Sequence, residues 1–104
     1  MAKYLLAYKG GGMGDTPEAQ QKAMEAWMAW FGSLGADLVD QGAPFGPSAS
    51  VSSDGGTTPG GSAQLTGYTI ITAADLSAAS EKAKGCPVLS SGGAIEVYEA
   101  LPMG

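Results

Sequence analysis

Apolar and polar positions alternate through residues 3 to 9, KYLLAYK. Tyr4, Leu6 and Tyr8 fall on one face, and Lys3, Leu5, Ala7 and Lys9 on the other. That period of two predicts a strand. A Gly-rich segment, GGGMGD, follows, and the period then lengthens. Thr16-Pro17-Glu18 is a helix start: Thr caps free amides, Pro suits the first helical position, and Glu favours the positive end of the dipole. The helix is expected to run to Leu34 with Gly35 closing it. At 100° per residue Ala23, Trp27, Trp30, Phe31 and Leu34 share one stripe, which predicts the face turned to the core.

Residues 37 to 45, DLVDQGAPF, read as a short strand broken at Gly42 and Pro44, and 47 to 52 as a further short strand in an irregular region. The stretch 53–65 is dominated by turn formers and is expected to be a flexible loop. GYTIITA, 67 to 73, is rich in β-branched residues and predicts a strand. Asp75 then caps a second helix with Leu76, Ala79 and Ala83 as its buried stripe and Gly85 at its end. AIEVYEA, 94 to 100, is the last strand, with Ile95 and Val97 facing one way and Glu96 and Tyr98 the other.

The order β-α-β-β-α-β predicts one α+β domain over residues 1–104, a ferredoxin-like sandwich with both helices on one face of an antiparallel sheet. The other face is then bare, and an apolar bare face is an association site. Two such sheets packed face to face form a dimeric α/β barrel, so the expected partner is a second copy of the chain.

Composition narrows the chemistry. The chain has 104 residues, about 44% apolar, and a net charge of −5 from ten acids and five lysines, with no Arg. Clustered Lys/Arg is what neutralises phosphates, so neither nucleic acid nor an anionic membrane surface is an expected partner. No run approaches the roughly 20 apolar residues that span a bilayer. The opening MAKYLLAYKG lacks the h-region of a signal peptide, so the expected location is cytoplasmic. The chain holds one cysteine, Cys86, and no His. No disulfide framework, metal site or cofactor is therefore expected, and Cys86 has no base to activate it.

Taken together, the opening KYLLAYKG, the helix ending AWFGSLGADLVDQGAPFG, the strand GYTIITAADLSAA and the tail GCPVLSSGGAIEVYEALPM resemble the YCII-related (YciI-like, DGPF-containing) family, with the CP-x-L-x-x-GG-x-IEV tail the most specific part. The resemblance implies a dimeric α+β barrel with a cleft between helix and sheet. It also implies kinship with a few dehydrochlorinases acting on chlorinated hydroxyquinols and with members beside or fused to sigma factors. The chain departs from the family pattern in two places. The DGPF segment is replaced by the Gly/Pro-rich stretch near 54 to 65, and the His of the His-Asp pair is missing.

Two functional readings follow. In the first, the chain is a dimeric module that binds a small apolar or aromatic molecule or serves a regulatory role. Its cleft would draw on Tyr8, Trp27, Phe45, Tyr68 and Tyr98. In the second it is a weak enzyme on a small aromatic or cyclic substrate, with Asp40, beside Gln41 and the GAPFG turn, or Glu96, inside an apolar strand, as the carboxylate base. The ordinary alternatives for these residues are core packing for the aromatics, solvation for Asp40, and pairing of Glu96 with Lys3 or Lys9. GGGMG fits no phosphate-loop pattern and reads as a connection.

Overall fold

The computed structural model describes residues 1–12, 14–61 and 64–102. Met13 of the GGGMGD segment and positions 62–63 of the 53–65 stretch lie outside the described residues. The elements are β1 (Ala2–Lys9), α1 (Pro17–Leu34), β2 (Leu38–Asp40), β3 (Ala49–Val51), β4 (Thr57–Pro59), β5 (Leu65–Ala73), α2 (Leu76–Ala83) and β6 (Ala94–Ala100). Short 3₁₀ turns occupy Gly35–Asp37 and Pro87–Ser91. The class is α+β: a four-stranded sheet in the order β2-β5-β1-β6 and a separate two-stranded β3-β4 hairpin, every pairing antiparallel.

The first helix starts where its capping residues place it. The Thr16 side chain accepts the Ala19 amide at 3.0 Å, Pro17 opens the helix, and Gly35 closes it at a φ of 56°. Asp75 caps α2 the same way, accepting the Ala78 amide at 2.8 Å.

A single core forms on one side of the sheet. It gathers Tyr4, Leu6 and Tyr8 of β1, Ile71 and Ala73 of β5, Trp30 and Leu34 of α1, Ala79 and Ala83 of α2, and Cys86 and Val88, with Ile95 and Val97 packed against them. Strand alternation puts both helices on this face. The opposite face carries Leu5, Ala7, Tyr68, Ile70, Glu96 and Tyr98, in the cross-strand rows Tyr98–Leu5–Ile70 and Glu96–Ala7–Tyr68.

Three expectations need correction. Leu76 is not part of the buried stripe of α2; it is 52% exposed, because it follows the Asp75 cap at the end of the helix that overhangs the core. The strand predicted over 37–45 shrinks to Leu38–Asp40. Asp37 closes a 3₁₀ turn, and Gly42, at a φ of 77°, passes so close to Tyr68 that a Cβ there would sit 1.7 Å from its carbonyl oxygen. Only Gly fits that crossing. The final turn of α2 caps at Lys84, one residue before Gly85. Within the Gly/Pro-rich stretch, Thr57–Pro59 pairs with Ala49–Val51 around a tight turn. There the Ser52 amide donates to the Gly56 carbonyl at 2.8 Å, and the Asp54 carboxylate accepts the Gly56 amide, also at 2.8 Å.

The clasp that fixes the helix layer is polar. Lys82 of α2 donates to Asp37 Oδ2 at 2.5 Å and to the Thr72 carbonyl at 3.2 Å, while the indole N–H of Trp30 donates to the Lys82 carbonyl at 3.1 Å. The Lys82 ammonium and the Thr72 hydroxyl hold the Asp37 carboxyl below its ordinary range. No helix among the described residues is long and apolar enough to cross a membrane.

Candidate functional site

A cavity of about 300 Å³ opens between α1 and the end of the sheet. Its floor is Trp27 and Phe31 of α1 with Tyr8 of β1. One wall is Gly10–Gly12 with Val88 and Ser91; the other is Gln41–Pro44 with Thr66–Thr69. None of these lining residues carries a charge, in a chain whose net charge is −5.

Local sequence explains each wall. Gly11 has a φ of 77°, and a Cβ on it would meet Val88 Cγ2 at 2.7 Å, so the loop after β1 presses against the Pro87–Ser91 turn. Ser91 ties the two, accepting the Gly12 amide at 3.3 Å and donating to the Val88 carbonyl at 3.1 Å. On the other side Gly67 lies against the chain at Ala43 and Pro44. Phe45 donates its amide to the Thr66 carbonyl at 2.9 Å, and Tyr68 donates its own to the Ala43 carbonyl at 3.3 Å. The floor is aromatic and edge-packed: the Trp27 ring stands 5.3 Å from Tyr8 at 71° and 5.9 Å from Trp30 at 80°.

The polar groups of the floor satisfy one another. The Tyr8 phenol donates to Thr69 Oγ1 at 2.5 Å, and the Thr69 hydroxyl donates to the Gln41 carbonyl at 2.9 Å. Burial pushes the Tyr8 phenol well above its ordinary range, and burial likewise raises the Cys86 thiol next to it. Both groups hold their protons throughout the neutral range. What the cavity offers a ligand is aromatic surface, a few neutral hydrogen-bonding groups and no ionisable base.

The candidate residues named from sequence separate into two places. Tyr8 and Trp27 line the cavity. Phe45, Asp40, Glu96 and Tyr98 do not; they belong to the open sheet face. Tyr68 takes part in both, lining the cavity rim while its ring stacks on Phe45 at a centroid distance of 5.9 Å. Asp40 lies beside that stack, 3.4 Å from the Tyr68 hydroxyl, and accepts the Gly42 amide at 2.9 Å. Glu96 sits across Ala7, accepts the Tyr98 hydroxyl at 3.0 Å and lies 3.7 Å from Lys9. The carboxylate of Glu96 raises the titration of the Tyr98 phenol. Asp40 and Glu96 each have a Tyr partner, but neither lines the cavity; Asp40 stands behind its wall, bonded to the lining residues Gly42 and Tyr68. No group of three or more His, Cys, Asp or Glu side chains gathers as a metal site among the described residues.

Phe31 packs against the core as its stripe predicts, but its place in the cavity floor was not foreseen, nor were Gln41, Thr66, Ser91 and the Gly10–Gly12 loop as lining. A Gly cluster after a strand was the available signal, and it read as a plain connection.

The sequence model of the YCII-related domain family matches residues 2–104, essentially the whole chain. No curated protein and no solved structure matches it. The chain belongs to the YCII-related family.

Proposed function

We propose that this YCII-related chain is a ferredoxin-like, homodimeric binding domain whose cavity holds a small, neutral, flat ligand, aromatic or cyclic. The observation that carries the reading is the lining of the cavity. Four aromatic rings, Tyr8, Trp27 and Phe31 in the floor and Tyr68 at the rim, meet neutral polar groups with no charged side chain among them. Sites of this kind are apolar with a few anchoring polar groups. A charged ligand would lose its hydration there with no counter-charge to compensate. The volume, about 300 Å³, admits one or two fused rings.

The homodimer reading is supported by the open sheet face. Leu5 and Ile70 form its centre, half-buried, with Tyr98 beside them, 53% exposed, and among the described residues no helix packs on this face. The strand order β2-β5-β1-β6 with both helices on the far side supports the ferredoxin-like assignment and leaves that face free to meet its copy in a dimeric barrel.

The test is a pair of matched probes. Titration of the purified protein with 2-naphthol and with 2-naphthoate, followed by tryptophan fluorescence, is expected to give saturable binding of the neutral naphthol and at least tenfold weaker binding of the carboxylate. Trp27→Ala is expected to remove the naphthol response. Equal affinity for the two probes, or tighter binding of the anion, contradicts the reading.

A further inference from the structure

The β3-β4 hairpin follows the cavity wall in the chain and packs chiefly on itself; among the described residues neither strand has a substantial contact with any other element. The chain is correspondingly spread out: its radius of gyration is 15.1 Å, against about 13 Å for a compact domain of 100 residues, and its extents are 44 × 40 × 18 Å. A two-stranded hairpin alone in water is marginal. Here each strand has three residues, and Val51 is 71% exposed.

Exposed apolar side chains flank this hairpin and sit on it. Phe45, before it, stacks on Tyr68 of β5 and is 47% exposed, and Leu65, after it, stands opposite Lys9 and is 39% exposed. Val51 lies between them in the chain, on β3 itself. We propose that the β3-β4 hairpin is an intersubunit arm: in a homodimer built on the open sheet face, it lies along the second copy and extends that interface from Phe45 and Leu65 to Val51. This rests on the homodimer reading above.

Two arguments select a second copy as the occupant. The first is area. Three long strands about 4.8 Å apart and seven residues long, at about 3.3 Å per residue, give a sheet footprint of roughly 330 Å². A stable interface buries about 800 Å² of accessible surface per partner, more than twice that planar footprint, so surface beyond the sheet is needed and the arm supplies it. The second is charge. The chain is strongly acidic, but the open face carries Lys3 and Lys9 with Asp40 and Glu96, which balance, and the arm adds one charge, Asp54 at its turn. This face meets its copy without the repulsion the rest of the molecule would impose.

Sedimentation of the full chain over a concentration series reads the dimer dissociation constant directly. Val51→Glu places a charge on an exposed position that the monomer does not use, so folding is retained. It is expected to raise the dissociation constant at least tenfold. Replacing residues 49–59 with a short Gly-Ser linker is expected to raise it further, with the near-UV signal of Trp30 unchanged. An unchanged dissociation constant for Val51→Glu, in a protein whose wild type is a dimer, overturns the arm and leaves the sheet-face reading standing. A wild type that is monomeric at about 100 μM overturns the sheet-face reading, and the arm with it.

Discussion

On the helix side of the sheet Tyr4, Leu6 and Tyr8 are all but fully covered, while Leu5 and Ile70, one residue along the same strands or their neighbours, stay partly open to solvent. Both faces are apolar at their centres, yet they carry different polar chemistry. On the covered side the polar groups beneath the cavity are neutral and bonded to one another, Tyr8 to Thr69 and Thr69 to Gln41, and the part-buried charged pair of the helix layer, Lys82 with Asp37, is matched within itself. On the open side they are carboxylates with phenol partners, Asp40 with Tyr68 and Glu96 with Tyr98. Burial explains the division. A charge on the covered side would need a partner to offset its lost hydration, whereas the open side keeps its charges wet until another surface arrives. A cavity on the covered side therefore suits a neutral ligand, and the open side suits a surface that can balance its charges.

The largest expected effect breaks the covered side. Trp30 is 6% exposed, its indole N–H is bonded, and Gly85 packs against its ring. Trp30→Ala is expected to cost about 3–5 kcal/mol in denaturant unfolding. A denaturation midpoint equal to wild type would remove Trp30 from the core.

Next comes the open side. Ile70→Glu is expected to cost about 2 kcal/mol of association, as for a central interface residue, and to leave unfolding of the monomer within about 1 kcal/mol. Sedimentation and chemical denaturation of the same variant separate the two. A large loss of monomer stability with unchanged association would show that Ile70 serves the fold and not an interface.

A smaller effect tests the polar floor. Tyr8→Phe removes the donor to Thr69 and is expected to cost about 1 kcal/mol while keeping the cavity's shape. Naphthol binding that vanishes in Tyr8→Phe without any stability change would instead make the phenol a ligand contact.

The smallest effect is in pH. Asp37 has a folded titration point below its ordinary 3.8, through Lys82 and Thr72. Its contribution is present at neutral pH and is lost as pH falls through that lowered value. Asp37→Asn is expected to lower stability at pH 7 and to flatten the acid limb of the stability profile. The raised Cys86 and Tyr8 groups act in the opposite sense. Their contribution is intact below the ordinary values of 9.0 and 10.0 and is lost as pH climbs above them. Thermal melts from pH 3 to 11 read both limbs. An acid limb identical in Asp37→Asn and wild type would contradict the role given to the Lys82 clasp.

Much of the frame was legible in the chain. Thr16-Pro17 and Gly35 bound α1, because capping is local chemistry, and the alternation in AIEVYEA separated Ile95 and Val97 from Glu96 and Tyr98. Leu76 was misplaced because helical periodicity does not reveal which end of a short helix overhangs its core. The cavity was harder to read. Its walls come from residues far apart in sequence, Gly11 against Val88 and Gly42 against Tyr68, and those approaches depend on tertiary contact. Asp40 and Phe45 directly adjoin wall residues 41–44, yet neither side chain lines the cavity. The first strand of the hairpin, Ala49–Val51, falls inside the short strand read over 47–52, but the second was hidden because Thr57–Pro59 is too short to show a period and ends in Pro.

The division between a neutral cavity and a pairing face is tested most directly by amide chemical shifts during a 2-naphthol titration. The account predicts that the moving signals cluster at Gly10–Gly12, Gly67, Ser91 and the Trp27 indole, with Leu5, Glu96 and Tyr98 still. Shifts centred on Leu5, Ile70 and Tyr98, with the Gly10–Gly12 signals unmoved, would contradict it.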